Sequence, residues 1–206
     1  MIKYFLFIFL FIIVFYVSNI TIPKFETTNN NKPLIIPVSL TQIFNLGQRE
    51  LISSIFWIET IQNSDVLKDE NPFEYNRAKI IGNLSPYFYQ NYFQSSLNLA
   101  IVKDQFDFSN QIINDGLLNY PNDYKLNFQL AFNYFFLQKR LKNGELIFDY
   151  IYDKKIYKVD NPNYPLIYSN IKRKIGEKEV AKKILIDLYN STKNQRLKKS
   201  IQKLIF

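Results

Sequence analysis

Residues 106–115 read FDFSNQIIND and place a small residue, Ser109, four positions before a large apolar one, Ile113. The setting returns in RLKNGELIFDY (residues 140–150) with Gly144 and Phe148, and in KEVAKKILIDLY (residues 178–189) with Ala181 and Leu185. The small residues stand 35 and 37 positions apart. That is close to the ~34-residue period of a helix–turn–helix repeat. One small side chain per period lets two antiparallel helices approach closely, and the large one fills the groove beside it. The expectation is a stack of helical hairpins.

Apolar periodicity around these segments predicts helices throughout. Pro86–Val102 pairs with Asp107–Leu118, Asp123–Gln138 with Leu141–Asp153, and Tyr164–Ile175 with Lys178–Asn190, with Gly176 at the last turn. Gln195–Phe206 reads as a final amphipathic helix with Leu197, Ile201 and Leu204 inward. Upstream, Ser39 or Thr41 caps a short helix that Gly47 ends or bends. From Gln48 to Gln62, three- and four-residue steps put Leu51, Ile55, Ile58 and Ile61 on one apolar helix face. Asn71 and Pro72 open a helix running to Leu84, and Ser85 before Pro86 reads as an N-cap followed by proline in the first turn. Alternating runs bounded by tight turns are missing, so the fold class is all-α.

The N-terminus reads as an export signal. Lys3 makes a short positive start, and Tyr4–Val17 follows without a charge. With its weaker extension to Ile22 the run approaches the ~20 residues a helix needs to cross the ~30 Å hydrocarbon core. Val17 and Asn19 make a poor cleavage pair, which favours an uncleaved signal anchor over a removed peptide. Lys3 places the N-terminus on the cytoplasmic side. The expected organisation is then a transmembrane anchor (1–22), a tether (23–38), an N-terminal helical segment packing on the repeats (39–84), and repeats with a C-terminal capping helix (85–206). The expected location is the inner membrane, single-pass, with the remainder exported to the periplasm.

Composition narrows the chemistry. The chain of 206 residues has no cysteine and no histidine. Disulfides, thiolate nucleophiles, Cys/His zinc sites and histidine bases are therefore excluded. The five glycines are scattered singly, so no loop cradles a phosphate. Asp69, Glu70 and Glu74, and Asp104 near Asp107, fall at turns and helix starts, where acidic groups complement the helix dipole. No catalytic residue, metal site or cofactor is expected. Charge is uneven: residues 1–138 carry 9 Lys/Arg against 11 Asp/Glu, residues 139–206 carry 17 against 7. The basic stretches KRKIGEKEVAKK (172–183) and RLKKSIQKLIF (196–206) come without a nucleic-acid-binding signature, so no nucleic-acid partner is expected. The last helix, with Arg196, Lys198, Lys199 and Lys203 beside Leu197, Ile201, Leu204, Ile205 and Phe206, suits either an anionic membrane surface or the closing of a helical stack. Closing the stack is the preferred reading.

Residues from about 85 to 206 resemble tetratricopeptide repeats. Tyr168, Ser169, Gly176, Ala181, Leu185 and Leu188 carry the likeness in the third unit. Ser109, Ile113, Gly116 and Pro121 carry it in the first, and Leu130, Ala131 and Tyr134 in the second. Gly144 and Phe148 fit after one inserted residue in the turn, and the first-helix tryptophan of that family is missing from all three units. Leu46–Gln62 resembles the segment that precedes such repeats in some exported bacterial proteins. Together the likeness covers about 60–75% of the chain.

The resemblance implies an α-solenoid of about three hairpins whose first helices line a concave groove. Asn91, Gln94 and Asn98 would face it from the first unit. Lys125, Phe128, Phe132, Phe135 and Phe136 would come from the second, and Asn170, Arg173 and Lys174 from the third. A peptide with apolar anchors and an acidic end suits such a surface. The phenylalanines fit a groove and a core equally well. Trp57 is expected to pack against the first repeat, and Arg49 and Glu50 to form ion pairs. The implied function is a membrane-anchored, non-catalytic scaffold binding another envelope protein. The alternatives are a secreted peptide-binding chaperone and an accessory subunit of an envelope enzyme or lipid-handling complex.

Overall fold

The computed structural model describes residues 37–44, 47–62 and 73–205, all within one compact unit spanning Ile35–Phe206. The expected anchor, and the expected tether up to residue 36, lie outside the described residues. Among the described residues no helix is long and apolar enough to cross a membrane.

These residues form ten helices and no strand, an all-α fold. They are α1 (Val38–Phe44), α2 (Arg49–Gln62), α3 (Phe73–Leu84), α4 (Tyr89–Leu97, continued by a π turn over Asn98–Val102) and α5 (Phe106–Asn119). Then follow α6 (Tyr124–Phe132, continued by a π turn over Asn133–Leu137), α7 (Leu141–Asp153), α8 (Tyr164–Lys174), α9 (Lys178–Ser191) and α10 (Gln195–Ile205). Neighbours in sequence pair as hairpins: α2 with α3, α4 with α5, α6 with α7, α8 with α9. The segment 39–84 thus contains a hairpin of its own. α1 packs on α3, and α10 packs on α9.

The three later hairpins turn alike. Asp104 (φ +56°), Lys139 (φ +58°) and Gly176 (φ +96°) each take the left-handed conformation that ends the first helix. Each is followed by a residue of nearly one geometry: Gln105 (φ −95°, ψ 64°), Arg140 (φ −83°, ψ 68°) and Glu177 (φ −82°, ψ 60°). The small residues Ser109, Gly144 and Ala181 lie five positions beyond the left-handed ones. The extra residue expected in the second turn is absorbed inside the helix instead, and the first hairpin has one too. Lys103 N–H donates to Asn98 O (3.1 Å) and Gln138 N–H to Asn133 O (2.9 Å), five residues back. Ile175 N–H keeps the ordinary four-residue bond to Ile171 O (3.1 Å).

Small residues set how closely the paired helices lie. Ser109 Oγ donates to Ser96 O at 2.7 Å, and both residues are fully buried. At Gly144 an added Cβ would stand 2.6 Å from Phe135 Cβ and 2.9 Å from Ala131 O. Ser169 and Ala181 are likewise buried. The large residues that follow, Ile113, Phe148 and Leu185, are core side chains.

Two apolar clusters form the core. One joins Ala78, Tyr92, Leu99, Ile112, Ile113, Leu126 and Leu130 across α3–α6. The other is largely aromatic: Tyr124, Phe135, Phe148, Tyr157, Tyr164 and Tyr168, with Ile151, Ile171 and Ile184. Buried tyrosines need partners for their hydroxyls. Tyr164 donates to Phe148 O (2.8 Å), Tyr168 to Asp149 Oδ1 (2.7 Å) and Tyr92 to Pro86 O (2.9 Å). Burial pushes the Tyr92 phenol up to about 12.

Polar contacts tie successive hairpins together. Lys79 Nζ meets Asp115 Oδ2 at 2.6 Å, and Gln129 Nε2 donates to Ser96 Oγ at 2.9 Å. Asn133 Nδ2 donates to Ser109 Oγ (3.0 Å) and Asn110 Oδ1 (2.9 Å). Buried Lys172 meets Glu145, Asp149 and Glu177 at 2.7–3.1 Å, joining α8 to α7 and to the α8–α9 turn.

Three local expectations are corrected. α4 begins at Tyr89 rather than Pro86, because the Ser85 hydroxyl donates to Glu50 Oε2 (2.7 Å) and lies 2.7 Å from Ser53 Oγ instead of capping a helix. The apolar row Leu51, Ile55 and Ile58 faces solvent, since α2 turns Ser53 and Thr60 toward the interior. On α10 only Ile201 is buried, while Leu204 stays 43% exposed.

Gly144→Ala is expected to lower stability by about 2–3 kcal/mol despite alanine's better helix propensity, because the methyl meets the α6 backbone. Urea unfolding of the two proteins measures it, and equal midpoints would show that α6 and α7 separate at little cost.

Candidate functional site

The first two hairpins frame an open groove. It occupies about 690 Å³ between α2, the start of α3, and α4. Trp57, Ile61, Leu97, Ile101 and Val102 give it apolar walls, while Gln90, Gln94, Asn98 and Glu74 supply the polar groups. Ile61, Ile101 and Val102 are each at least half exposed. The Trp57 ring is held edge-on to Phe88, centroids 5.2 Å apart. Such a volume lies within the ~300–1,000 Å³ of ligand-binding clefts.

Glu74 is the titrating group of the groove. The Asn98 side-chain amide donates to its Oε1. Burial raises its pKa, and the Asn98 bond with the positive charges of Lys103 and Arg77 only partly oppose that. Arg77 lies one turn along α3, with its guanidinium 4.1 Å from the Phe73 ring centroid. Its Nε and Nη1 are buried without hydrogen-bond partners, and burial lowers its pKa.

On α6 and α8 several expected groove residues are aromatic or basic. Phe135 is 1% exposed and belongs to the core. Phe128 and Phe136 are half-buried and pack against that core. Phe132 is also half-buried but stands outside the core cluster, with its ring 4.9 Å from Phe136. Lys174 Nζ lies over Phe136 at 4.7 Å and over Phe135 at 5.7 Å. Lys125, Asn170 and Arg173 are exposed.

Of the residues expected to line the face, Gln94 and Asn98 reach the α2–α4 groove. Lys125, Phe132, Asn170 and Arg173 keep exposed or half-exposed side chains. Asn91 is fully buried and donates to Ala78 O at 2.9 Å, so it holds α4 against α3. Phe135 is a core residue, because the π turn in α6 rotates it toward Phe148 (centroids 5.8 Å). Sequence reading missed the α2 and α3 side of the groove. Trp57 and Ile61, four apart, were the available signal, masked by the stronger row of Leu51, Ile55 and Ile58.

Among the described residues no group of three or more acidic side chains is placed to hold a metal ion. Comparison with protein families, curated proteins and solved structures finds no match for this chain.

Truncation separates the phenylalanines. Phe135→Ala should cost about 3–5 kcal/mol in a urea melt, and Phe132→Ala far less; equal losses would place both in the core. Glu74 adds a pH dependence. A carboxyl group whose folded pKa is raised stabilises the fold most fully below its unfolded value, and that stability is lost as pH rises through the folded value. Glu74→Gln keeps an acceptor for Asn98 but never ionises. It should melt higher than wild type at about pH 7 and lose that advantage at about pH 4; thermal melts at both pH values decide.

Proposed function

We propose that this chain is a non-catalytic scaffold that holds a segment of another polypeptide along the first-helix face of a tetratricopeptide-like stack. Its apolar run Tyr4–Ile22 anchors it in the inner membrane, with the helical unit on the periplasmic side. The observation that carries this reading is the open α2–α4 groove, apolar-walled and polar-based, with Lys174 lying over Phe136 further along the chain. A groove of this kind takes apolar side chains of a helical or extended segment, and its polar groups set the register. The cations at the α8 end favour an acidic stretch of the same ligand. Anchoring raises the local concentration of membrane-bound partners, so modest contacts suffice.

Photo-crosslinkers at Gln94 and Asn170 should capture a polypeptide in cells, whereas one at exposed Asn114 on α5 should not. Ile101→Asp and Phe132→Ala should each abolish capture at Gln94 and Asn170 while the melting temperature stays close to wild type. Equal capture from all three positions, or capture indifferent to both substitutions, rejects the groove.

A further inference from the structure

The far end of the stack carries a second surface. From Lys178 to Ile205 there are eight Lys/Arg residues against two acidic ones, Glu179 and Asp187. α10 separates its faces sharply. Ile201 is buried against the unit, while Arg196, Lys199 and Lys203, three and four positions apart, form an exposed row on the other side. Lys198 is folded back with its Nζ 5.0 Å from the Tyr189 ring centroid. Between α9 and α10 lies a cleft of about 510 Å³ lined by Lys182, Ile186, Tyr189, Gln202 and Ile205. Ile186 and Leu204 remain 40% and 43% exposed beside the cations.

We infer that the α9–α10 end is a docking surface for an anionic lipid bilayer, and that the cleft takes part of one lipid with its phosphate at Lys182. The argument rests on charge complementarity and on the composition of the cleft. Three of the four cations concerned are lysines, point charges suited to a diffuse field of phosphates rather than to the forked geometry of a chosen carboxylate. The cleft sets apolar walls beside a cation, which is what an anionic amphiphile presents in reverse. α10 itself stays docked on α9, so attachment is at the surface and reversible. Each cation near an anionic leaflet strengthens association about fivefold, and salt screens the effect.

The full chain, reconstituted into nanodiscs of zwitterionic lipid alone or mixed with anionic phospholipid, tests this by amide hydrogen exchange of α9 and α10. Slower exchange at these helices is expected only with anionic lipid. It should be lost at high salt and in the double variant Lys199→Glu/Lys203→Glu, whose exposed side chains leave the melting temperature unchanged. Equal exchange in both kinds of disc overturns the inference, as does slowing that survives the double variant. Protection by soluble polyglutamate without any effect of anionic lipid also overturns it, and assigns the surface to an acidic polypeptide.

Discussion

Two helices can lie side by side at close range only where neither carries a large side chain between their backbones. In this chain that constraint is met where Ser96 faces Ser109 and Ala131 faces Gly144. From this contact much of the rest follows. Close backbones leave grooves to either side, and Ile113 and Phe148, one turn further on, fill them completely. The chain has only four alanines, so the remaining space is taken by large rings, and the second core cluster is built from tyrosine and phenylalanine. Ring packing of this kind needs a fixed helix spacing, which returns the burden to the small residues.

The junctions between hairpins are of two kinds. Between the α4–α5 and α6–α7 hairpins the contact includes a buried polar chain through Ser96, Ser109, Asn110, Gln129 and Asn133. Gln129 Oε1 has no hydrogen-bond partner there, so this junction is not fully satisfied. Between the α6–α7 and α8–α9 hairpins the contact is aromatic, with Tyr124, Tyr164 and Phe128 ring against ring, and Lys172 sealing one side. A buried amide network fixes register because a shifted neighbour strands its donors, whereas aromatic packing supplies area without direction. The Lys172 cluster restores direction: one ammonium between carboxylates of α7 and the following turn tolerates little sliding.

Most of the fold was legible because the repeat is written in residue size. Helix ends fell within a few residues of expectation wherever a small residue and a following apolar one marked the second helix. Gly176 announced its left-handed turn; Asp104 and Lys139 adopt the same backbone without glycine, so nothing local revealed them. The π turns were illegible for a related reason. An added residue looks the same in sequence whether it widens a turn or a helix, and only the bonds to Asn98 O and Asn133 O decide. On α6, periodicity could not separate Phe132 from Phe135, because the π turn over Asn133–Leu137 changes which of them looks inward. On α2 the most apolar row was not the buried one. Ser53 faces inward there and pairs with Ser85, a tertiary contact that no periodicity encodes.

The chain has a single tryptophan, and it stands in the wall of the α2–α4 groove with its ring braced by Phe88. Indole emission shifts with the water around it, while the many tyrosines emit elsewhere in the spectrum. The molecule therefore carries a built-in optical reporter of that one cleft: filling it would expel solvent from the indole and turn the colour of its light toward the blue, with no label attached.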